Sequence, residues 1–262
     1  MNTKEKKSAL TVAVRAARAA GTLMRQNLRA PKVVNASTAY DIKLELDVRC
    51  QKIIEKILRA ALPKIAVLGE EGDSGAVNEE YRWVVDPIDG TVNFAYGIPH
   101  ACVSIALQQR QSRGKDHESI VGVVYDPFQD ELWTAIRGGP SRLNGRVVHV
   151  SRRRELKECI VSMGFGKSQV NLQRGLPHFA WLVRRVRRLR MMGAAALGLT
   201  YVATGRYDAY IERAVSLWDV AAGGLIVECA GGTFWTEPIR GRHRLRMMAS
   251  SGLINDKLPK PK

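Results

Sequence analysis

Asp86 and Asp89 stand three residues apart in the stretch Trp83-Val84-Val85-Asp86-Pro87-Ile88-Asp89-Gly90-Thr91-Val92-Asn93. Residues 83–85 read as the end of a buried strand, and Pro87 forbids a regular ladder beyond it. Two carboxylates therefore leave one strand end together and can converge on a single point. Gly90 and Thr91 then open the next element with backbone N–H groups that lack a helical acceptor. Clustered acids want a hard cation, and free N–H groups want an anion. The same residues also spell an ordinary proline-initiated turn closed by Asp-Gly, so this stretch alone leaves both readings open.

Two further acids occupy comparable places. Glu70 directly follows a short apolar strand at residues 65–68, and Asp219 sits at a helix start in Leu217-Trp218-Asp219-Val220. Four carboxylates at element ends can form an oxygen cage for two or three Mg²⁺ ions, which accept a few carboxylates plus water and substrate phosphate. Each acid alone has a plainer use: helix capping for Asp219, a solvated loop for Glu70. The five histidines are scattered, which disfavours a transition-metal site. There is no Cys-x5-Arg motif or evident Ser/His/Asp pattern, which agrees with a chemistry that requires no protein nucleophile.

The elements that must position these acids follow from periodicity. Leu10, Val14, Ala17, Gly21, Met24 and Leu28 fall on one face of a first helix. Pro31 and residues 35–38 form a loop, and Asp41 and Asp47 flank a short segment. A second helix carries Cys50, Ile53, Ile54, Ile57, Leu58 and Ala61, with Pro63 after its end. Residues 73–80 read as a solvated loop, residues 101–107, 120–125 and 131–136 as strands, and residues 108–118 as a hairpin loop. The first half, 1–140, thus sets two helices beside an antiparallel-looking sheet. In the second half, 141–262, strands at 147–150, 160–163 and 207–212 alternate with helical segments ending at 183 and spanning 193–204 and 218–230. No linker separates the halves, which are expected to act as one unit.

Composition bounds the rest. The 262 residues are 45% apolar and 25% charged, as in a soluble globular chain. Lys and Arg number 41 against 25 Asp and Glu, a net charge of +16 that favours anionic partners. No run of eighteen apolar residues exists, which argues against a transmembrane helix, and Arg15 and Arg18 interrupt any signal-peptide core. A cytoplasmic location is expected. Cys50, Cys102, Cys159 and Cys229 are widely spread in apolar contexts and read as buried free thiols.

Gly69-Glu70-Glu71, then the Trp83-to-Asn93 stretch with Phe94, then Trp218-Asp219-Val220-Ala221-Ala222-Gly223 resemble the inositol monophosphatase family in order and spacing. Tyr125-Asp126-Pro127, Ala203-Thr204-Gly205-Arg206-Tyr207-Asp208-Ala209-Tyr210 and Glu228-Cys229-Ala230-Gly231-Gly232 extend the likeness, which runs from residues 13–21 to the end of the chain. The resemblance implies an α+β fold, a layered α-β-α-β-α sandwich of the sugar phosphatase type. It also implies a Mg²⁺-dependent, lithium-sensitive, homodimeric phosphomonoesterase acting on inositol 1-phosphate or a related phosphate ester. Carried over by position, Glu70, Asp86 and the Ile88 carbonyl would hold one metal. Asp86, Asp89 and Asp219 would hold a second, and Asp47 would lie beside the cluster through water. Glu70 and Thr91 would orient the attacking water. Gly90 and Thr91 would bind phosphate, and Gly193, Ala194, Ala195 and Glu212 would contact the alcohol, with Asp89 also on the substrate side.

Departures from the family pattern bear on substrate and assembly. Ala36 stands where a lysine is common, Ala194 where Ser or Thr is common, Met191 where bacterial members often carry Arg, and Gly198 where Asp is frequent. None removes an implied metal ligand. The basic runs at 152–154, 184–190 and 240–246 read either as a solvated face or as a nucleic-acid surface. Few aromatics interleave them and no recognised nucleic-acid module accompanies them. Some bacterial members of the family take part in ribosomal RNA transcription complexes, so RNA or RNA polymerase association is a second expectation.

Overall fold

The computed structural model describes residues 1–37, 42–75, 80–111, 117–166 and 168–261. Helix α1 (Thr3–Asn27) opens with a capping box: Asn2 Oδ1 accepts from Glu5 N at 3.0 Å, and Asn2 N donates to the Glu5 carboxylate at 2.6 Å. Its buried face is Ala9, Ala13, Ala16, Ala17, Ala20, Gly21 and Met24. Leu10, Val14 and Leu28, expected on that face, are only half-buried. Close approach explains the shift. A Cβ on Gly21 would stand 2.6 Å from the Tyr125 ring, so the helix seats its small-residue stripe.

Strands β1 (Val34–Ser37) and β2 (Ile42–Leu44) pair antiparallel, which replaces the loop expected at 35–38 as far as Ser37. Thr38 and Asp41 lie outside the described residues. Helix α2 (Glu45–Ala61) buries Cys50, Ile54 and Leu58 as expected, together with Leu46, Asp47 and Gln51, while Ala61 is exposed.

The first sheet holds β3 (Ala66–Gly69), β4 (Gly72–Ser74), β5 (Tyr81–Asp89), β6 (Cys102–Arg110), β7 (His117–Asp126), β8 (Glu131–Ile136), β9 (Arg142–Leu143) and β10 (Arg146–Val147). Its order is β10-β9-β8-β7-β6-β5-β3-β4, parallel between β3 and β5 and antiparallel elsewhere. Three expectations are corrected. Residues 72–74, in the expected loop, form an edge strand. Strands β6 and β7 consume both ends of the expected 108–118 loop. The strand expected at 147–150 is the short hairpin arm β10, ending at Val147. Residues 76–79 and 112–116 lie outside the described residues.

After the short helix α3 (Thr91–Ala95), which follows β5, the chain builds its second sheet from β11 (Ile160–Gly164), β12 (Arg188–Arg190), β13 (Ala209–Ser216), β14 (Thr233–Pro238) and β15 (Arg244–Ser250). The order is β12-β11-β13-β15-β14, with β11 parallel to β12 and β13, and β15 antiparallel to both its neighbours. Helices α4 (Gln169–Val183), α5 (Ala195–Ala203) and α6 (Leu217–Cys229) complete the set.

Three apolar cores stack the layers. Helices α1 and α2 cover one face of the first sheet, α5 and α6 lie between the sheets, and α4 covers the far face of the second. The result is the α-β-α-β-α sandwich. The middle helices need small residues because a sheet presses on each side. A Cβ on Gly224 would stand 2.3 Å from the Phe234 ring, and one on Gly223 2.7 Å from Leu199. Among the described residues no helix is long and apolar enough to cross a membrane. Cys50, Cys102 and Cys159 are buried free thiols, and Cys229 is half-buried.

Candidate metal and phosphate site

Parallel pairing of β3 and β5 sets Gly69 opposite Val85, and Glu70 N donates to Val85 O at 3.2 Å. Glu70 and Asp86 therefore emerge side by side toward the C-terminal ends of two adjacent strands. The strand does not stop at Pro87, contrary to expectation. It runs to Asp89 through a register shift against β6 between Asp86 and Asp89. Such a bulge re-aims side chains. Asp86 Oδ1 accepts from Ile88 N at 3.1 Å, closing the turn that carries both acids.

Gly90 then adopts φ +91, and a Cβ there would stand 2.9 Å from His100 O, so glycine is required on both grounds. Phe94 N is the first donor into α3, reaching Gly90 O at 3.0 Å. The N–H groups ahead of it have no acceptor within the helix. Thr91 Oγ1 donates to Ile88 O at 2.9 Å, fixing its hydroxyl beside the turn.

Asp89 joins the two halves of the chain. Its Oδ1 accepts from Ala195 N at 3.0 Å and its Oδ2 from Ala196 N at 2.7 Å, at the start of α5. Cys102 Sγ donates to Oδ2 at 3.6 Å. Burial pushes the Asp89 carboxyl up to about 6 despite these bonds, which act in the opposite direction. Asp219, in the first turn of α6, accepts from Ser216 N at 2.8 Å through Oδ2. It therefore is the helix cap that its position suggested, and it also borders the site.

Glu70, Asp86, Ile88, Asp89, Gly90, Thr91, Gly193, Ala194, Ala195, Glu212 and Asp219 all line one cavity of about 420 Å³. Asp47 does not. It is buried in the first turn of α2, where its Oδ2 accepts from Leu44 N at 2.8 Å. Among the described residues no group of three or more acids, histidines or cysteines is drawn close enough to hold a metal ion by itself. The donor chemistry does fit a cation. Asp86 is fully buried, and its carboxyl lies well above the usual range, first from burial and then from Glu70, Asp89 and Asp219; it also hydrogen-bonds Asp219. A dry carboxylate beside three others is held only with a neutralising proton or cation.

Sequence reasoning missed several groups here. Tyr210 donates its hydroxyl to Glu212 Oε2 at 2.8 Å, and Gly166 N donates to Oε1 at 2.9 Å. Burial raises the Glu212 carboxyl to about 7, against the lowering effect of those two bonds. Arg244 lines the same cavity, held by Ser216 Oγ at 3.1 Å and Ala214 O at 3.3 Å. Asn93 Nδ2 donates to Met192 O at 2.7 Å and to His100 O at 2.9 Å, tying α3 to the loop before α5. Only Asn93 and Tyr210 lay within quoted motifs, and neither carried a role. Arg244 lay in the basic run 240–246, which carried no site role, and Gly166 in a segment with no local signal.

The family model described as inositol monophosphatase family matches residues 5–258. A Nus factor SuhB of Pseudomonas aeruginosa is 42% identical over 231 residues, covering 85% of this chain and 83% of that protein. An inositol-1-monophosphatase of Rhizobium meliloti is 37% identical over 220 residues, covering 82% and 77%. Among solved structures, the extragenic suppressor protein suhB from Bartonella henselae superposes with a TM-score of 0.87 at 33% identity, covering 95% of this chain and 96% of that one. An inositol monophosphatase from Anabaena superposes at 0.80 with 32% identity over 96% and 93%. The chain belongs to the inositol monophosphatase family.

Proposed function

We propose that the chain is a Mg²⁺-dependent phosphomonoesterase that hydrolyses inositol 1-phosphate or a related sugar phosphate by direct attack of water. The observation that carries this reading is the buried Asp86, faced by Asp89 at the end of its own strand and by Glu70 and Asp219 from two other element ends, in a cavity that the start of α3 also borders. In this reading Glu70, Asp86, the Ile88 carbonyl, Asp89 and Asp219 hold two or three Mg²⁺ ions. Bound there, Mg²⁺ would lower the pKa of a water and neutralise charge on the ester.

The protein's own groups do the positioning. The Gly90 and Thr91 N–H groups grip the phosphate, and Glu70 and the Thr91 hydroxyl orient the water for in-line attack. Glu212 accepts a hydroxyl of the alcohol, with Gly193, Ala194 and Ala195 along the adjoining wall. Asp89 fixes that wall to the acidic centre through Ala195 and Ala196. Asp47, buried at the start of α2, would act beside the metals through water, its Oδ2 held by Leu44 N. Water is the nucleophile, so no phosphoenzyme forms. Ala194 and Met191 change the alcohol side relative to the family pattern, which supports sugar phosphates other than inositol 1-phosphate as candidates. Lithium sensitivity and a homodimer belong to this reading. A panel of phosphomonoesters tests it: preferred release from a polyol or sugar monophosphate supports it, and preference for an unrelated ester class contradicts it.

A second reading is association with a transcription complex, through RNA polymerase or RNA. It is supported by the relatives named Nus factor SuhB and by the net charge of +16, with exposed arginines at 184, 185, 187, 188 and 190. Co-purification with RNA polymerase that survives Asp89→Asn supports it. Loss of that association in the variant, or none at all, contradicts an independent binding role.

A further inference from the structure

A poorly satisfied charge lies outside the cavity, at Arg213. It follows Glu212 on β13, where the pairing with β15 shifts register between Glu212 and Val215. Glu212 borders the cavity. Arg213 faces α4, where a Cβ on Gly175 would stand 3.3 Å from its Cδ and 2.3 Å from the Phe165 ring. Glycine at 175 lets the helix press onto this spot. Arg213 is 8% exposed, and its Nε–H is sealed from solvent without an acceptor. Among the described residues it makes no ion pair and no side-chain hydrogen bond.

Its neighbours deepen the imbalance. Arg174 on α4 and Arg246 on β15 both press positive charge on Arg213. Arg246 is answered by Glu237 at 2.9 Å, but Arg174 is answered by no acid among the described residues. His178, buried one turn along α4, also faces Arg213, and its Nε2 has no partner. Folded proteins bury guanidinium groups paired and hydrogen-bonded, because an unpaired one is costly. An acceptor from outside the chain resolves the cost.

We propose that Arg213, Arg174 and His178 form a binding site for a small tetrahedral oxyanion of the phosphate class, on the α4 side of the second sheet. Inorganic phosphate and phosphomonoesters share the required chemistry: several acceptor oxygens and a charge that answers clustered arginines. The depth of Arg213 favours a small free anion over the backbone of a nucleic acid, whose phosphates would meet the exposed arginines at 184–190 first.

The test is a thermal melt of the full chain in EDTA, which keeps divalent ions from recruiting phosphate to the acid-lined cavity. Roughly 10 mM inorganic phosphate is compared with chloride at matched ionic strength. Wild-type protein should gain about 2–4 °C more from phosphate than Arg213→Met does, the difference removing the general salting effect. In chloride, Arg213→Met should melt at or above wild type, because an apolar chain replaces an unpaired buried charge. Arg174→Ala, at an exposed position that leaves the core intact, should weaken phosphate binding several-fold. Equal phosphate responses in wild type and both variants overturn the proposal. So does a melt of Arg213→Met well below wild type in chloride, which makes the arginine structural. A shift produced by short single-stranded RNA and not by phosphate overturns it in favour of nucleic acid. None of these outcomes depends on catalysis.

Discussion

Replacing Asp89 with Asn separates two roles that this carboxylate holds together, its charge and its cap on α5. In the folded protein burial raises the group to about 6, against an ordinary value of 3.8. A raised acid binds its proton more tightly when folded, so its contribution to stability is present at low pH and lost as pH rises through 6. Well above 6, keeping it charged costs about 3 kcal/mol at 1.36 kcal/mol for each tenfold change in proton affinity. Asn removes that cost. It also replaces one of the two acceptors serving Ala195 N and Ala196 N, a loss of about 1–2 kcal/mol at a helix start. In EDTA at about pH 8 the variant should therefore be more stable by about 1–2 kcal/mol, or roughly 2–6 °C in Tm for a chain of this size. The advantage should shrink as pH falls from 6 toward 4. Adding Mg²⁺ should reverse the order, because wild type gains from a bound cation that the variant holds less well. Thermal melts across pH, with and without Mg²⁺, read all of this. A variant that melts below wild type at about pH 8 in EDTA, or that gains as much from Mg²⁺, refutes the reasoning.

The remaining predictions probe the walls of the site. Tyr210→Phe removes the hydroxyl bond that holds the Glu212 carboxyl down, so the acidic limb of kcat/KM should move to higher pH; an unmoved limb contradicts the role given to Glu212. Gly198→Asp restores a residue frequent in the family, but its Cβ would stand 2.9 Å from the Tyr210 ring. Denaturant melts should show a loss of about 1–3 kcal/mol, and no loss contradicts the packing argument. Lys32 donates to the carbonyls of Asn27, Leu28 and Ala30 at 2.7–2.8 Å and sits 4.9 Å over the Phe94 ring, closing α1 against α3. Lys32→Met should cost about 1–3 kcal/mol in a urea melt, and an unchanged midpoint sinks the capping role.

The acids of the site were legible because each follows a local pattern: an apolar run that ends in a carboxylate, or a helix start. Their convergence was not local, and the order of motifs across the chain supplied it. What stayed hidden depends on contacts between distant segments. Strands β14 and β15 escaped notice because arginines at 244 and 246 and the proline at 238 mask their alternation. The buried face of α1 was read in part: Ala17, Gly21 and Met24 lie on it, while Leu10, Val14 and Leu28 pack at its margin because Tyr125 selects the smallest stripe. Pro87 signals a stop, yet the bulge lets β5 carry it onward to Asp89. Asp47, read by resemblance as lying beside the metals through water, is buried in the first turn of α2, where its Oδ2 accepts from Leu44 N. Tyr210 bonds Glu212 from the same strand, but Gly166, its other partner, lies in the loop before α4, and the Gly175 that packs on Arg213 lies in α4; no spacing rule connects either to β13.

The most direct test of the central claim is phosphate release from inositol 1-phosphate and other sugar monophosphates, followed against Mg²⁺ concentration. Asp219→Asn belongs beside wild type, because an amide oxygen can still accept from Ser216 N and keep the cap. The four-acid centre predicts release that requires Mg²⁺ and falls by about 100-fold or more in the variant. Release that persists in EDTA, or no release from any ester in the presence of Mg²⁺, would contradict it.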